Sequence, residues 1–434
     1  MYQSTASIDQ YAFEFRYNEK GLCTYRKNPG AQYVTYEYDW KDRLAYTQDG
    51  VQRSSGKWTF YTYDGVGRPS SQGENTSKAS STSAEYLKNY YDNYNFVGGT
   101  GFTSSLYTRD TSLSGWGKLT GQVISVLGGS TKIYVAYYYD AKGRVVRKVE
   151  SNLLGGHEVT ETTYTFTGKP STVTHTHTAS GKTTRTEKYT YTYDAAERVS
   201  SIKHKLGSTE VTLASYTYDK HGRTATRNPH GSSTNRQTYS YNVRSWLTGI
   251  SGTKFTQTLG YSGLYGGDIK TMSWTANGSS HSYTFGYDGV GRMMNANHGA
   301  GAYSELVTSY DKNGNIKALK RTCGSSTLAD DLTYTYSGNR ITKVKDTAGN
   351  SGLFKDGSTA TTEYTYDNNG NLKSDLNKGI SKLAVVVKCN HGELFYFAYW
   401  KSAKMRKTFW GAAAHACRAS PASSGVTIQL MNLS

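Results

Sequence analysis

Tyr63-Asp64-Gly65-Val66-Gly67-Arg68 comes back along the chain with little change. Tyr139-Asp140-Ala141-Lys142-Gly143-Arg144, Tyr218-Asp219-Lys220-His221-Gly222-Arg223 and Tyr287-Asp288-Gly289-Val290-Gly291-Arg292 are its clearest copies. Tyr310-Asp311-Lys312-Asn313-Gly314-Asn315 and Tyr366-Asp367-Asn368-Asn369-Gly370-Asn371 exchange the arginine for asparagine. Looser copies begin at Tyr38 (Asp42 before Arg43), Tyr193 (Glu197 before Arg198), Tyr241 and Tyr336. Ten copies with a period of about 20–30 residues, interrupted by longer gaps such as that from Tyr63 to Tyr139, describe a repeat array.

Each copy has a physical reading. Aspartate at the first position of a turn and glycine at the fourth is the pattern of Asp64-x-x-Gly67. The carboxylate accepts backbone N–H groups a few residues on, and glycine takes the positive φ that closes the loop. On either side aromatic and β-branched residues alternate with Thr and Ser, as at Tyr189, Tyr191 and Tyr193 before a turn and Val145, Val199, Ile316 and Leu372 after one. That period of two is a strand signal, so each unit reads as strand, turn, strand. Tyr336-Ser337-Gly338-Asn339-Arg340 is one residue shorter and predicts a two-residue turn.

These units resemble YD repeats, the building block of RHS-repeat proteins, from roughly Tyr17 to Ser381. Val34 to Asp39 with Asp42-Arg43-Leu44, and Tyr241 to Leu247, resemble the variety found in Bacteroidetes. The resemblance implies an all-β fold, a YD-repeat hairpin array forming a curved ribbon sheet that is part of an RHS-type shell. It implies a structural scaffold of a secreted or surface polymorphic toxin, enclosing or presenting a C-terminal effector or cargo. The family's self-cleavage is not carried over, because no Asp-Pro-x-Gly core motif is present and the chain has five prolines.

Composition agrees with a thin sheet. Hydrophobic residues make up 36% of the 434, and 39 tyrosines outnumber 12 phenylalanines. Tyrosine joins a large apolar body to a hydroxyl that can stay wet, and stacked repeats bury their faces mainly against neighbours. A net charge of +17 raises nucleic acid as a partner. Much of that charge is the repeat itself: Arg43, Arg68, Arg144, Arg198, Arg223, Arg292 and Arg340 occupy the turns, where they can stack on tyrosine or bond the motif aspartate. An anionic polysaccharide or another acidic surface partner fits the charge and the tyrosines at least as well as nucleic acid, which makes a cell-surface glycan-binding or adhesion protein the second functional reading.

Met1-Tyr-Gln-Ser-Thr opens in polar sequence without a signal-peptide pattern, and no apolar run reaches membrane-helix length. Export follows only from the resemblance, and a start directly in strand and repeat (Tyr11, Phe13, Phe15, Tyr17) reads as a fragment. Cys23, Cys323, Cys389 and Cys417 are too few and scattered for a disulfide framework. Organisation divides at residue 381, with repeats over 1–381 and a tail over 382–434. Three readings of that tail stand: an altered reading frame in a longer gene, a variable effector module that would make a small enzyme the third functional reading, and a cap on the last repeat.

No residue set predicts catalysis, a cofactor or a metal. His175 and His177 lie on one face of a strand without an evident third ligand. Cys389 and His391, with His415 and Cys417 downstream, match no standard zinc spacing. Asp330, Asp331, Glu158 and Glu161 offer carboxylates for glycoside chemistry, but read as solvated strand ends. The Gly-Val-Gly runs at 65–67 and 289–291 lack the helix and Lys-Ser/Thr of a phosphate loop. Asn75 and Asn277 head glycosylation-type triplets that agree with exposed loops. Ser70 to Ala84 reads as a long exposed loop, and Leu259 to Trp274 as a hairpin excursion from the sheet.

Overall fold

The computed structural model describes residues 10–78, 84–108, 115–348 and 353–380; the tail from 381 on, with His391, His415, Cys389 and Cys417, lies outside them. Twenty-six strands, from Glu14–Tyr17 to Arg340–Asp346, form one sheet. Every strand pairs antiparallel with the next in sequence, so the chain is a single unbroken meander. A final hairpin, Tyr364–Tyr366 with Leu372–Asp375, continues it through Glu363, whose N–H donates to the Thr342 carbonyl at 2.8 Å. The fold is all-β apart from single helical turns. In the α-helical one, Gly50–Ser54, Asp49 accepts the Gln52 N–H and Gln52 Oε1 accepts the Asp49 N–H, a capping box.

Strict meandering gives the ribbon two different edges. The motif turns all fall on one of them, here the turn edge; connections such as 28–33, 126–131 and 178–184 fall on the other, the far edge. Where a motif turn carries the aspartate, it works as the sequence suggests. Asp64 Oδ1 accepts the N–H groups of Val66 (3.0 Å) and Arg68 (2.8 Å), and the Gly67 N–H returns to the Asp64 carbonyl at 3.1 Å. Asp42, Glu197 and Ser245 stand at the glycine position with φ of 60°, 60° and 62°, a left-handed conformation costly for side chains with a Cβ.

Four further copies escaped the ten. Asn18, Asp92, Thr165 and the Tyr261 loop occupy motif positions, with Asn18 Oδ1 and Thr165 Oγ1 accepting turn N–H groups in place of a carboxylate. The segment read as a loop at 70–84 is a strand over Pro69–Asn75, paired with Trp58–Tyr63 on one side and Ala84–Asp92 on the other. Asn75 is consequently buried rather than on an exposed loop. Likewise Leu259 to Trp274 is no excursion: Phe255–Gly260 and Thr271–Ala276 are consecutive strands of the meander. The two-residue turn at Gly338-Asn339 is as expected.

Burial differs along the ribbon. The one hydrophobic cluster among the described residues gathers Phe96, Phe102, Tyr107, Val123, Ala136, Tyr138, Val149 and Val159, where the 93–107 insertion folds onto the sheet. Elsewhere alternating exposure marks a tyrosine face and a Thr/Ser face. In Arg185–Tyr193 the tyrosines are half-buried while Thr186, Lys188 and Thr192 are exposed.

The ends of the ribbon meet. Twenty-six strands at about 4.8 Å spacing would reach roughly 120 Å if laid flat. Yet Asn368 O accepts the Gln32 N–H at 2.8 Å, and Asn369 Oδ1 accepts the Val51 N–H at 3.2 Å. The ribbon therefore curves through a full turn, roughly 40 Å across by the same spacing. The closure is not strand to strand: the turn edge of the last hairpins rests on the far edge of the first. A Cβ on Gly50 would lie 2.7 Å from Gln32 Cβ and 3.0 Å from Asn368 Cβ, so only glycine lets the seam close here. The winding is offset like one coil of a spiral.

Candidate functional site

The repeat residues form a lattice that runs the length of the coil. Each motif tyrosine donates its hydroxyl to the carbonyl just past the previous turn: Tyr63 to Leu44 (2.9 Å), Tyr164 to Val145 (2.6 Å), Tyr218 to Val199 (2.8 Å), Tyr336 to Ile316 (2.6 Å), Tyr366 to Ile341 (2.9 Å). Six of the seven turn arginines bind their own aspartate, as Arg223 Nε does Asp219 Oδ2 at 2.7 Å, and lay the guanidinium over the next tyrosine; Arg340, whose turn has no aspartate, lies over Tyr366 at 5.2 Å. Arg43, Arg198, Arg223 and Arg292 sit 4.4–4.7 Å from the rings of Tyr63, Tyr218, Tyr241 and Tyr310. In those six, both roles expected of the turn arginines are filled at once. Hydrogen bonds to Arg198 lower the Asp194 pKa, while Tyr218 is raised, first by burial. On the other face a threonine before several of these tyrosines joins hydroxyls across the hairpin, as Thr192 does with Ser201 at 2.8 Å and Thr217 with Thr226 at 2.7 Å.

The densest group of titratable side chains lies on the tyrosine face across four strands. Register places His177 opposite Glu158, and His175 opposite Glu187. Glu158 binds His175 Nε2 at 2.9 Å, His177 Nδ1 at 2.6 Å and Asn152 Nδ2 at 3.0 Å. Glu187 reaches His175 Nδ1 at 3.5 Å and His204 Nε2 at 3.2 Å. Burial alone would push the Glu158 pKa up; the bonds from His175, His177 and Asn152 outweigh it and hold it at about 2. The histidine pair read from the sequence thus has carboxylate partners on both flanks. Their ring nitrogens point at carboxylates, and among the described residues no group of three or more His, Cys, Asp or Glu is arranged to hold a metal. Chemically the ladder is a brace between hairpins.

The remaining candidates separate. Glu161 is exposed and lies 3.4 Å from Arg147, away from the ladder. Asp330 is a correction: it is fully buried, with Arg321 Nη2 at 2.5 Å from its Oδ2 and the Phe354 N–H bonding its Oδ1 at 2.9 Å. Cross-strand register against Arg321 explains its burial. Asp331 is half-buried beside Lys320. Glycines 67 and 291 are turn glycines with φ of 93° and 80°. Asn277 and Gly278, both with positive φ, make the two-residue turn into the Ser279–Tyr287 strand. Trp274 stacks on His281 at 5.1 Å and on Tyr283 at 5.8 Å, so cross-strand neighbours already occupy its ring. Cys23 and Cys323 are free.

A crevice of about 440 Å³ follows the seam, lined by Gln10, Lys27, Gly30, Gln32, Arg340 and Asp367. Sequence reasoning missed it, since the two sides lie more than 300 residues apart. Among the described residues no helix is long and apolar enough to cross a membrane.

No protein-family model matches the sequence, and no curated protein matches it. Among solved structures the chain is similar to one titled TcdB2-TccC3-TEV, at 13% identity over 84% of this chain and 24% of that chain, TM-score 0.29. It is similar to TcdB2-TccC3 at 12% identity over 83% of this chain and 25% of that chain, TM-score 0.29. A porin-like protein from Bacteroides uniformis shares 12% identity over 49% of this chain and 93% of its own, TM-score 0.21. The chain spans about a quarter of the length of the two TcdB2-TccC3 chains.

Proposed function

We propose that this chain is a non-catalytic scaffold, a wall segment of an RHS-type shell in a secreted or surface polymorphic toxin, and that it encloses or presents a C-terminal effector. The observation that carries this reading is the seam: a ribbon whose late turns at Asn368 and Asn369 rest on Gln32 and Val51 surrounds a space instead of lying flat. Two further features support it. The chemistry-bearing residues of the repeat bind one another, leaving Asp, Arg and Tyr committed to holding hairpins together. The tyrosine face is the less exposed of the two, as side chains crowded on a concave wall are.

Tryptic digestion of the full chain tests enclosure. Lys401, Lys404, Arg406 and Lys407 lie in the tail, and cleavage there is expected to be several-fold slower in the native chain than in a Gly50→Trp variant that forces the seam apart. Equal rates in the two proteins would remove enclosure from the proposal.

A further inference from the structure

The seam shows that the two edges of the ribbon fit each other. There the second and third turn residues, Asn368 and Asn369, settle onto Gln32, Gly50 and Val51 of the far edge. Corresponding positions elsewhere along the turn edge are filled differently. Trp40, Val66, Phe166, Val243 and Val290 occupy the second or third turn position, and Tyr265 tops the 261–267 loop. These six are exposed at 77% or more, and with Trp116, at the same edge, they are the most exposed large apolar residues described. Single exposed apolar residues need no explanation, but a row of them on one rim does. Turn tips facing water are normally polar, as Lys142, Lys220 and Lys312 are in sister repeats.

We propose that this apolar turn edge docks on the far edge of a second copy of the same chain, continuing outside the molecule the contact already made at the seam. The far edge is available: beyond the arc covered by the seam, the connections at 126–131, 207–208, 253–254 and 323–327 carry no covering strand among the described residues. Because one copy offers its turn edge and the other its far edge, the contact is heterologous, and copies add head to tail without closing. Charge modulates it. With +17 on each chain, two copies repel at low ionic strength, and screening relieves that repulsion within a Debye length of about 10 Å at 0.1 M salt.

Sedimentation velocity on the full chain, over roughly a hundredfold range of concentration at low and at about 0.5 M salt, tests this. The expected result is a ladder of growing species rather than one dimer, shifted to larger sizes by salt. A Trp40→Asp/Phe166→Asp/Val243→Asp variant is expected to stay monomeric with an unchanged far-ultraviolet spectrum, since these side chains touch little of their own chain. A Thr284→Asp change, exposed in the middle of the Ser279–Tyr287 strand and away from both edges, is expected to leave the ladder intact. A wild-type monomer under all conditions would overturn the proposal. So would a closed dimer, or a ladder that persists in the triple variant.

Discussion

Two stretches of the same ribbon are held together by different physics. From Tyr90 to Val159 an insertion drops Phe96, Phe102 and Tyr107 onto the sheet, and rings pack edge to face at 4.7–5.1 Å around fully buried Ala136 and Val149. From Arg185 to Tyr241 nothing covers either face among the described residues, and buried side chains there are few, Ala214 and Thr226. What replaces a core is repetition: one tyrosine hydroxyl, one aspartate–arginine pair and one guanidinium over a ring for each hairpin. Each such contact is worth about 1 kcal/mol, so this stretch holds only because neighbouring hairpins brace each other, as in other repeat arrays. The same repeat hairpin can serve as a platform for a core or do without one.

Substitutions can break or sharpen that contrast. The largest effect belongs to Phe102→Ala, which empties the centre of the aromatic cluster; a loss of about 3–5 kcal/mol in chemical denaturation is expected, with hydrogen exchange rising over 90–159 and not over 185–241. Next is Gly50→Val, whose branched side chain meets Gln32 and Asn368; a cost of about 1–3 kcal/mol and faster exchange at both 28–32 and 364–370 would show the ends separating together. Deleting the same hydroxyl in both stretches gives the sharpest comparison. Tyr139→Phe strands the Leu119 carbonyl beside a buried ring, and is expected to cost more than Tyr218→Phe, at about 1 kcal/mol, whose Val199 carbonyl water can reach. Equal costs would mean that burial does not set the strength of the lattice.

The smallest effect near neutral pH is that of Glu158→Gln. With its folded-state pKa depressed from 4.5 to about 2, Glu158 contributes stability that is present above about pH 4.5 and lost as pH falls toward 2. The variant is expected to flatten the acid limb of a stability–pH curve in that window; an unchanged limb would show that His175 and His177 do not favour the carboxylate there.

Legibility in the sequence followed locality. Asp64-x-x-Gly67-Arg68 announces a turn because the bonds of Asp64 to Val66, Gly67 and Arg68 all fall within five residues, and Gly338-Asn339 announced its tighter version. His175 and His177 could be placed on one face from their spacing, but not beside Glu158 and Glu187, because the register across strands depends on how the turns at 165–169 and 178–184 are built. Pro69 to Asn75 looks like a loop since Ser, Gln, Gly and Asn have little strand preference; pairing on both sides overrides it. Tyr91-Asp92 hid because its partner arginine, Arg68, comes from the preceding turn, with Nη2 at 2.5 Å from Asp92 Oδ2. The seam was out of reach, as it depends on curvature summed over all 26 strands.

That summation makes the seam a length gauge. One more hairpin would carry Asn368 past Gly50 by two strand spacings, about 10 Å, beyond any hydrogen bond. Gain or loss of a repeat unit in this chain is therefore expected to bring a matching change at Gln32, Gly50 or Val51, and the number of hairpins per coil is counted where the polypeptide touches its own beginning.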